Sequence, residues 1–405
     1  MIARTKKPYY PWTCWLLVAI VYLIQYGLLV FPSTITEQLQ DSFKINTAAL
    51  GVFSSSFLFT FVFFQIPAGL MFDHFGSRNL LFYSTLIIAL GCVMLGVTQS
   101  YPWAVAARML MGLGASFSFI GAVYIGRTWF PIAMFPVVVG LTEAMSGVGE
   151  VGLPSLFAAL KNVQNWRFTI LEIGIVTVVV AFLIYMHVRD KKSVTKKHTV
   201  KIWRDLLRCL SNKNLWLIGL FSGFAYTHFL VITDMWGIEF LKHRYHVTSL
   251  DAIVENSLVI LGFTLGCAFI GYVLRFISSR RLMLICISAE MVCHVILTFY
   301  LVNIYIESVL LFTVGLLTSV VVLSYELAEK MVPSTSYGAA AGFVTMFMAG
   351  IGMFIVPIVG YLVNYVQLQV FLASAPVVVC AFIGILIAIR INLSSDFAFC
   401  DREKQ

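Results

Sequence analysis

Long apolar runs broken by short polar turns repeat along the whole chain. A helix that crosses a bilayer needs about 20 mostly apolar residues. Twelve runs meet that length: 12–34, 47–71, 79–98, 102–127, 134–159, 167–188, 214–239, 252–276, 281–301, 305–327, 337–362 and 368–391. Most turns between them are short, so neighbouring helices should run antiparallel. The exception is the basic stretch from Arg189 to Lys213, which parts the runs into two sets of six. The pattern predicts an all-α membrane protein with 12 transmembrane helices in two six-helix bundles, residues 1–190 and 214–405, joined by a cytoplasmic linker at 191–213. Within the linker, Ile202, Trp203, Leu206, Leu207 and Leu210 share one helical face, which fits an amphipathic helix at the lipid interface as well as a plain solvated basic loop.

One turn is marked more sharply than the others. Gly69-Leu70-Met71-Phe72-Asp73-His74-Phe75-Gly76-Ser77-Arg78 places an aspartate, a glycine able to take positive φ and an arginine where hydrocarbon gives way to water. A degraded copy runs from Gly271 through Arg275 to Arg280, so that Gly69 and Arg78 recur 202 residues later. Pro131 and Pro333 repeat that interval, as do Gly140 and Gly342. The interval is half the chain, and with the hydropathy pattern it indicates two homologous halves.

Composition excludes a soluble protein. Charged residues are 11% of the chain and the mean hydropathy is +0.92, against roughly 25% charged residues in a soluble domain. The net charge of +8 is not gathered on a soluble face, so no nucleic-acid partner is expected. It is spread as topology requires. With the N-terminus in the cytoplasm, 21 Lys and Arg fall on the inner side and five on the outer, with Arg108 inside a span. This bias puts both termini in the cytoplasm of a plasma (inner) membrane. The basic start resembles a signal peptide, but the apolar run continues past Val30 without a small-residue cleavage site and reads as an uncleaved first span. Eight scattered cysteines without a CxxC read as buried free thiols. No cofactor and no metal site are expected. One helix carrying Cys286, Glu290, Cys293 and His294 does not supply a closed metal site.

Twelve spans, a half repeat and the Gly69–Arg78 turn together resemble the major facilitator superfamily. Its signature G-x-x-x-D-x-x-G-x-R is present in full. The fourth-span signature R-x-x-x-G-x-G matches Arg108, Gly112 and Gly114, and Asn165-Trp166-Arg167 and Pro333 followed by Gly338 are also typical. The order Gly140, Gly147, Gly149, Glu150, Gly152 and Pro154 is similar to a branch with lysosomal dipeptide transporters and bacterial amino-acid and nutrient permeases. The resemblance implies a monomeric secondary transporter working by alternating access. Its partners would be a small-molecule substrate, protons and the lipid bilayer. It also implies that Gly69, Asp73, Gly76 and Arg78, with Arg275 and Arg280 in the copy, act in gating, and that spans one, four, seven and ten line the cavity.

The ionisable residues inside the spans supply the candidate chemistry. Arg108 should face the interior, since an arginine facing lipid centrally costs at least about 2.5 kcal/mol; near the outer end it could instead snorkel. Glu150 lies at matched depth on span five. The two fit either a structural ion pair or a clamp in which the guanidinium grips a carboxylate and Glu150 receives an ammonium. Gln25, Tyr26, Tyr226 and His228 are further substrate contacts by the cavity rule. Glu143, near mid-membrane, and the pair Glu290 and His294, one turn apart, are candidates for proton coupling. The reading is proton-linked uptake of a small zwitterionic or anionic nutrient, such as an amino acid or short peptide. The alternatives are a proton-driven exporter of drugs or siderophores and a facilitative uniporter. No HExxH, GxSxG or nucleotide-binding loop supports an enzyme, and no sizeable hydrophilic segment supports a sensor.

Overall fold

The structure, a computed structural model, describes residues 9–160, 165–190, 207, 209–333, 336–364 and 374–391. It separates into two compact units, 1–138 with 145–202, and 139–144 with 203–405. The expected amphipathic linker helix lies almost wholly outside the described residues.

In the first unit α1 spans Tyr10–Val30, α2 Thr36–Phe43, α3 Thr47–Phe75, α4 Arg78–Val97, α5 Tyr101–Ala115 and α6 Ser118–Trp129. Helix α7, Phe135–Leu160, gives residues 139–144 to the second unit and the rest to the first, and α8 is Trp166–His187. In the second unit α9 spans Lys213–His228, then a π-helical segment Phe229–Trp236, α10 Gly237–Tyr245, α11 Ser249–Val273 and α12 Ser279–Phe299. Next come α13 Ile304–Thr318, α14 Val322–Met331, α15 Tyr337–Asn364 and α16 Ala375–Arg390. The described residues of the apolar runs are almost wholly helical. Among the described residues ten helices are long and apolar enough to cross a membrane, and Ala375–Arg390 is a shorter apolar one.

Helix ends follow local chemistry. The side chains of Asn46, Asn165, Asn212, Thr248 and Asn303 accept from backbone N–H groups of the first turns of α3, α8, α9, α11 and α13. Proline stands in the first turn of α1, α5 and α16, where its missing N–H costs nothing. In the first unit α4 packs on α8 and α5, α3 on α5, and α1 on α6 and α8; in the second, α11 packs on α13, and α9 on α15 and α16. Gly112 backs onto the Phe57 carbonyl of α3 and Gly114 onto the Ser84 carbonyl of α4. A side chain at either position would push α5 off a neighbour, which is the physical content of the fourth-span signature. Outward faces carry Phe59, Phe63, Ile175, Phe182, Phe269 and Phe354, all exposed, as lipid-facing surface should be.

Three runs read as continuous are interrupted. The fourth breaks between Ala115 and Ser118 and the tenth between Thr318 and Val322, through a 3₁₀ turn at Ser319–Val321. At each break hydroxyls bond back to the preceding turn: Ser116 to Leu113 O at 2.7 Å, Ser118 to Ala115 O at 2.7 Å, Thr318 to Val314 O at 2.9 Å and Ser319 to Leu316 O at 2.7 Å. Such bonds compete with the helical ladder. The seventh run widens into the π segment. After the first run, Thr36–Phe43 forms a helix that the apolar pattern does not announce.

Candidate functional site

Arg108 is fully buried on α5. Its Nη1 donates to Leu28 O at 2.5 Å and its Nη2 to Leu29 O at 3.2 Å. Both carbonyls belong to the last turn of α1, where helical oxygens lack intrahelical donors and the helix dipole is negative. The rings of Phe31, Phe53 and Phe57 stand 5.3, 5.4 and 4.9 Å from the guanidinium carbon, a cage suited to a delocalised cation. The guanidinium thus turns inward and does not snorkel. Among the described residues its polar partners are these two carbonyls rather than Glu150, so of the two expected arrangements the Arg108–Glu150 ion pair is not formed here, and Nε has no hydrogen-bond partner. The reason lies in α1, whose C-terminal turn satisfies a cation without a carboxylate.

Other expected substrate contacts divide between the units. Gln25 is buried on α1, and its Oε1 accepts from Ser118 at the start of α6. Tyr22 donates to the Tyr26 hydroxyl at 3.4 Å, with ring centroids 4.9 Å apart. Glu150 is buried in the first unit, whereas Glu143, also buried, groups with the second. Tyr226 stacks on Phe229 at 5.1 Å and lies against Phe263 at 5.9 Å. His228 meets His294, with ring centroids 4.3 Å apart.

The second unit holds a partly open cavity of about 40 Å³ lined in part by His228, Arg244, Asn256, His294, Thr298 and Glu307. Neither ring nitrogen of His228 has a hydrogen-bond partner among the described residues. His294 Nε2 lies 3.6 Å from Glu290 Oε1, and Thr318 donates to that oxygen at 3.4 Å. Arg244 Nε pairs with Glu307 Oε2 at 3.3 Å, and its Nη atoms donate to Leu297 O and Tyr300 O at the end of α12. Tyr245 donates to Glu307, and burial raises its phenol above the ordinary range. The sequence offered no sign of this cavity beyond the Glu290–His294 spacing, because its walls come from five separate stretches.

At the opposite end of the first unit, Gly69 lies buried on α3 and Asp73 on the same helix, though the Asp73 side chain is outside those described. Gly76 takes φ +80°, and a Cβ there would meet Asp190 Oδ1 at 2.9 Å. That carboxylate accepts from Ser77 N at 2.6 Å, Ser77 Oγ at 2.9 Å and Arg78 N at 3.2 Å, capping α4. Arg78 Nε donates to Tyr185 O near the end of α8 at 2.8 Å. In the copy, Arg280 Nη2 donates to Ile389 O near the end of α16, also at 2.8 Å, while Arg275 is exposed over Tyr272. Asp190 was not singled out from the sequence. The signal available was the uncapped start of α4, which calls for an anion from elsewhere.

The family model described as the Major Facilitator Superfamily matches residues 14–357. A probable L-galactonate transporter of Escherichia coli is 27% identical over 307 residues, covering 68% of this chain and 64% of its own length. A probable sulfoacetate transporter of Cupriavidus necator, SauU, is 25% identical and covers 56% of each chain. The chain therefore spans about 60% of the length of these curated relatives. Among solved structures, the proton:xylose symporter XylE bound to 6-bromo-6-deoxy-D-glucose superposes with a TM-score of 0.76 over 94% of both chains at 13% identity, which establishes a shared fold.

Proposed function

The chain belongs to the Major Facilitator Superfamily, and from that premise we propose that it couples proton entry to the uptake of a small carboxylate-bearing nutrient, anionic or zwitterionic. Membership makes it a multi-pass membrane transporter of small molecules, not an enzyme. The observation that carries the substrate class is Arg108. A guanidinium buried completely, held by two neutral carbonyls and an aromatic cage, keeps its whole charge inside the protein. A carboxylate is the ligand that such a fork takes in bidentate fashion. The names of the relatives, which specify L-galactonate and sulfoacetate, favour organic anions. Amino acids and short peptides remain within the class, with Glu150 receiving the ammonium.

The mechanism follows from what Arg108 holds. A carboxylate that competes for the guanidinium releases Leu28 O and Leu29 O, so anion binding loosens the last turn of α1. Substrate occupancy and movement of α1 are thereby linked. Gln25 and Tyr26, on the same helix, supply hydrogen bonds to the rest of the substrate. Glu143, Glu290 and His294 carry the coupling proton, and the Gly76–Arg78 turn with its Arg280 counterpart holds inner helix ends during the cycle.

The test is counterflow in proteoliposomes with aldonates, hexuronates, sulfoacetate, amino acids, dipeptides and neutral sugars. Carboxylates should exchange, and Arg108→Met should lower exchange at least about tenfold, the effect of one charge-assisted bond. Equal exchange of neutral sugars, or wild-type rates in Arg108→Met, refutes the anion reading. Accumulation that vanishes with an uncoupler supports proton linkage; uptake that only equilibrates and is indifferent to the uncoupler leaves a uniporter.

A further inference from the structure

We propose that His228 and His294 form a hydrated site inside the second unit where two imidazoles share one proton and exchange it with Glu290, and that this is the coupling site of the transport cycle. The proposal rests on the proton-linked reading above and narrows it, since it takes His228 out of the substrate's path.

Size decides what the cavity holds. At about 40 Å³ it has room for water, which needs about 10–15 Å³ on the same measure, and is small beside the roughly 300–1,000 Å³ of sites for small organic ligands. A nutrient does not fit; water or a proton does. His228 is 1% exposed, and among the described residues both ring nitrogens lack a hydrogen-bond partner, a costly state for an imidazole unless water or a proton completes it. The neighbouring His294 ring, 4.3 Å away, is 3% exposed and reaches Glu290 at 3.6 Å. The three groups thus follow one another from the cavity into the protein, ring against ring and then imidazole to carboxylate.

Among the described residues, the charges around the site leave these groups as the ones that can change. From α12 come Glu290, His294, Cys286 and Cys293; from α13, Glu307; from α10, Arg244; from α16, Cys380. Arg244 pairs with Glu307, which also accepts from Tyr245, and thiols buried in apolar surroundings stay protonated. Two imidazolium rings at this separation repel, so the pair takes one proton and not two. The proton arrives on an imidazole nitrogen from cavity water, moves along His294 to a Glu290 oxygen, and leaves a neutral imidazole behind. The π segment begins at the residue after His228, and its Thr233 carbonyl accepts at 2.8 Å from Asn256, which also lines the cavity. Helical segments of this irregular kind recur at functional sites, and here one joins the proton site to the outer part of the same span.

The experiment uses the full chain in nanodiscs with ¹⁵N-labelled histidine, of which there are seven. Imidazole ¹⁵N shifts are followed from about pH 5 to 8, the range in which histidine ordinarily titrates. Two rings should shift together in a single titration that takes up one proton, and His294→Gln should uncouple His228 from that event. Two independent full titrations, or no titration of either ring, overturn the site, and this readout needs only the wild-type chain if a variant does not fold. In proteoliposomes, His228→Gln and His294→Gln should lose accumulation driven by a pH gradient relative to their own exchange rate. Accumulation kept in both overturns the site while leaving proton-linked transport intact. A wild-type protein that never responds to the gradient instead sinks proton linkage, and with it the coupling role, whatever the rings do.

Discussion

Arginines here serve helix ends before anything else. Arg108 holds the end of α1, Arg78 that of α8, Arg280 that of α16, and each donates to backbone oxygens that the helix itself cannot satisfy. Charge-assisted bonds are worth about 1.5–3 kcal/mol each. Arg108→Met should therefore destabilise the protein by roughly 3 kcal/mol or more, and Arg108→Lys, which reaches one carbonyl, by about half as much; thermal unfolding in detergent measures both. Equal midpoints for the two variants would mean that the fork geometry is immaterial. Gly76 poses the opposite demand. Its positive φ costs a side-chain-bearing residue about 1–2 kcal/mol, and a Cβ also collides with the Asp190 carboxylate. Gly76→Ala should consequently lower the unfolding midpoint more than Asp190→Ala, which removes a helix cap worth about 1 kcal/mol. The reverse order would show that the cap, not the backbone, explains the glycine.

Among elements, the half repeat runs deeper than the motif that revealed it. Lys44 and His246, the two described non-glycine residues with positive φ, lie 202 residues apart and end α2 and α10. Asn46 and Thr248, at the same interval, cap the following helices through Ala49 N and Asp251 N, again 202 apart. The breaks in the fourth and tenth runs obey it too. Leu95 and Thr98 oxygens accept from Arg167 in the first unit, and the equivalent Leu297 and Tyr300 oxygens accept from Arg244 in the second. The halves keep the acceptor and recruit the donor from different helices. This explains what could be read beforehand. Apolar runs and their ends were legible because hydrocarbon imposes length, and the Gly69–Arg78 turn because its glycine and charges stand out locally. Asp190 on Ser77, Arg108 on Leu28 and His228 beside His294 were not, since backbone acceptors carry no residue signature and tertiary neighbours none in spacing. If the left-handed positions are structural in both halves, Lys44→Gly and His246→Gly should each be neutral or stabilising by up to about 1 kcal/mol, and Lys44→Val and His246→Val destabilising. A divergence between the halves in the same melting assay would restrict the geometry to one of them.

For the molecule as a whole, the surface reports its solvent. A soluble protein hides its large apolar side chains, yet here Phe63 is 66% exposed in the middle of α3 and Phe354 72% exposed on α15, while Arg108, Glu143 and Glu290 are buried. That inversion makes sense only where acyl chains, not water, meet the outer faces. It also sets the scale of a test that the fold alone does not require. A lysine near the centre of a lipid-facing helix costs about 2.5–3.5 kcal/mol on insertion scales, falling where the side chain can reach the headgroups. Phe63→Lys should thus sharply reduce the membrane-inserted fraction, measured by membrane yield and carbonate extraction. Tyr9→Lys, at an exposed position before α1, should not, and it adds to the positive bias that favours a cytoplasmic N-terminus. A reporter fused to either terminus should accordingly read the cytoplasmic side in both variants. Full insertion of Phe63→Lys would mean that this face of α3 meets water or protein, and the lipid-facing surface would then have to be redrawn around the remaining exposed rings.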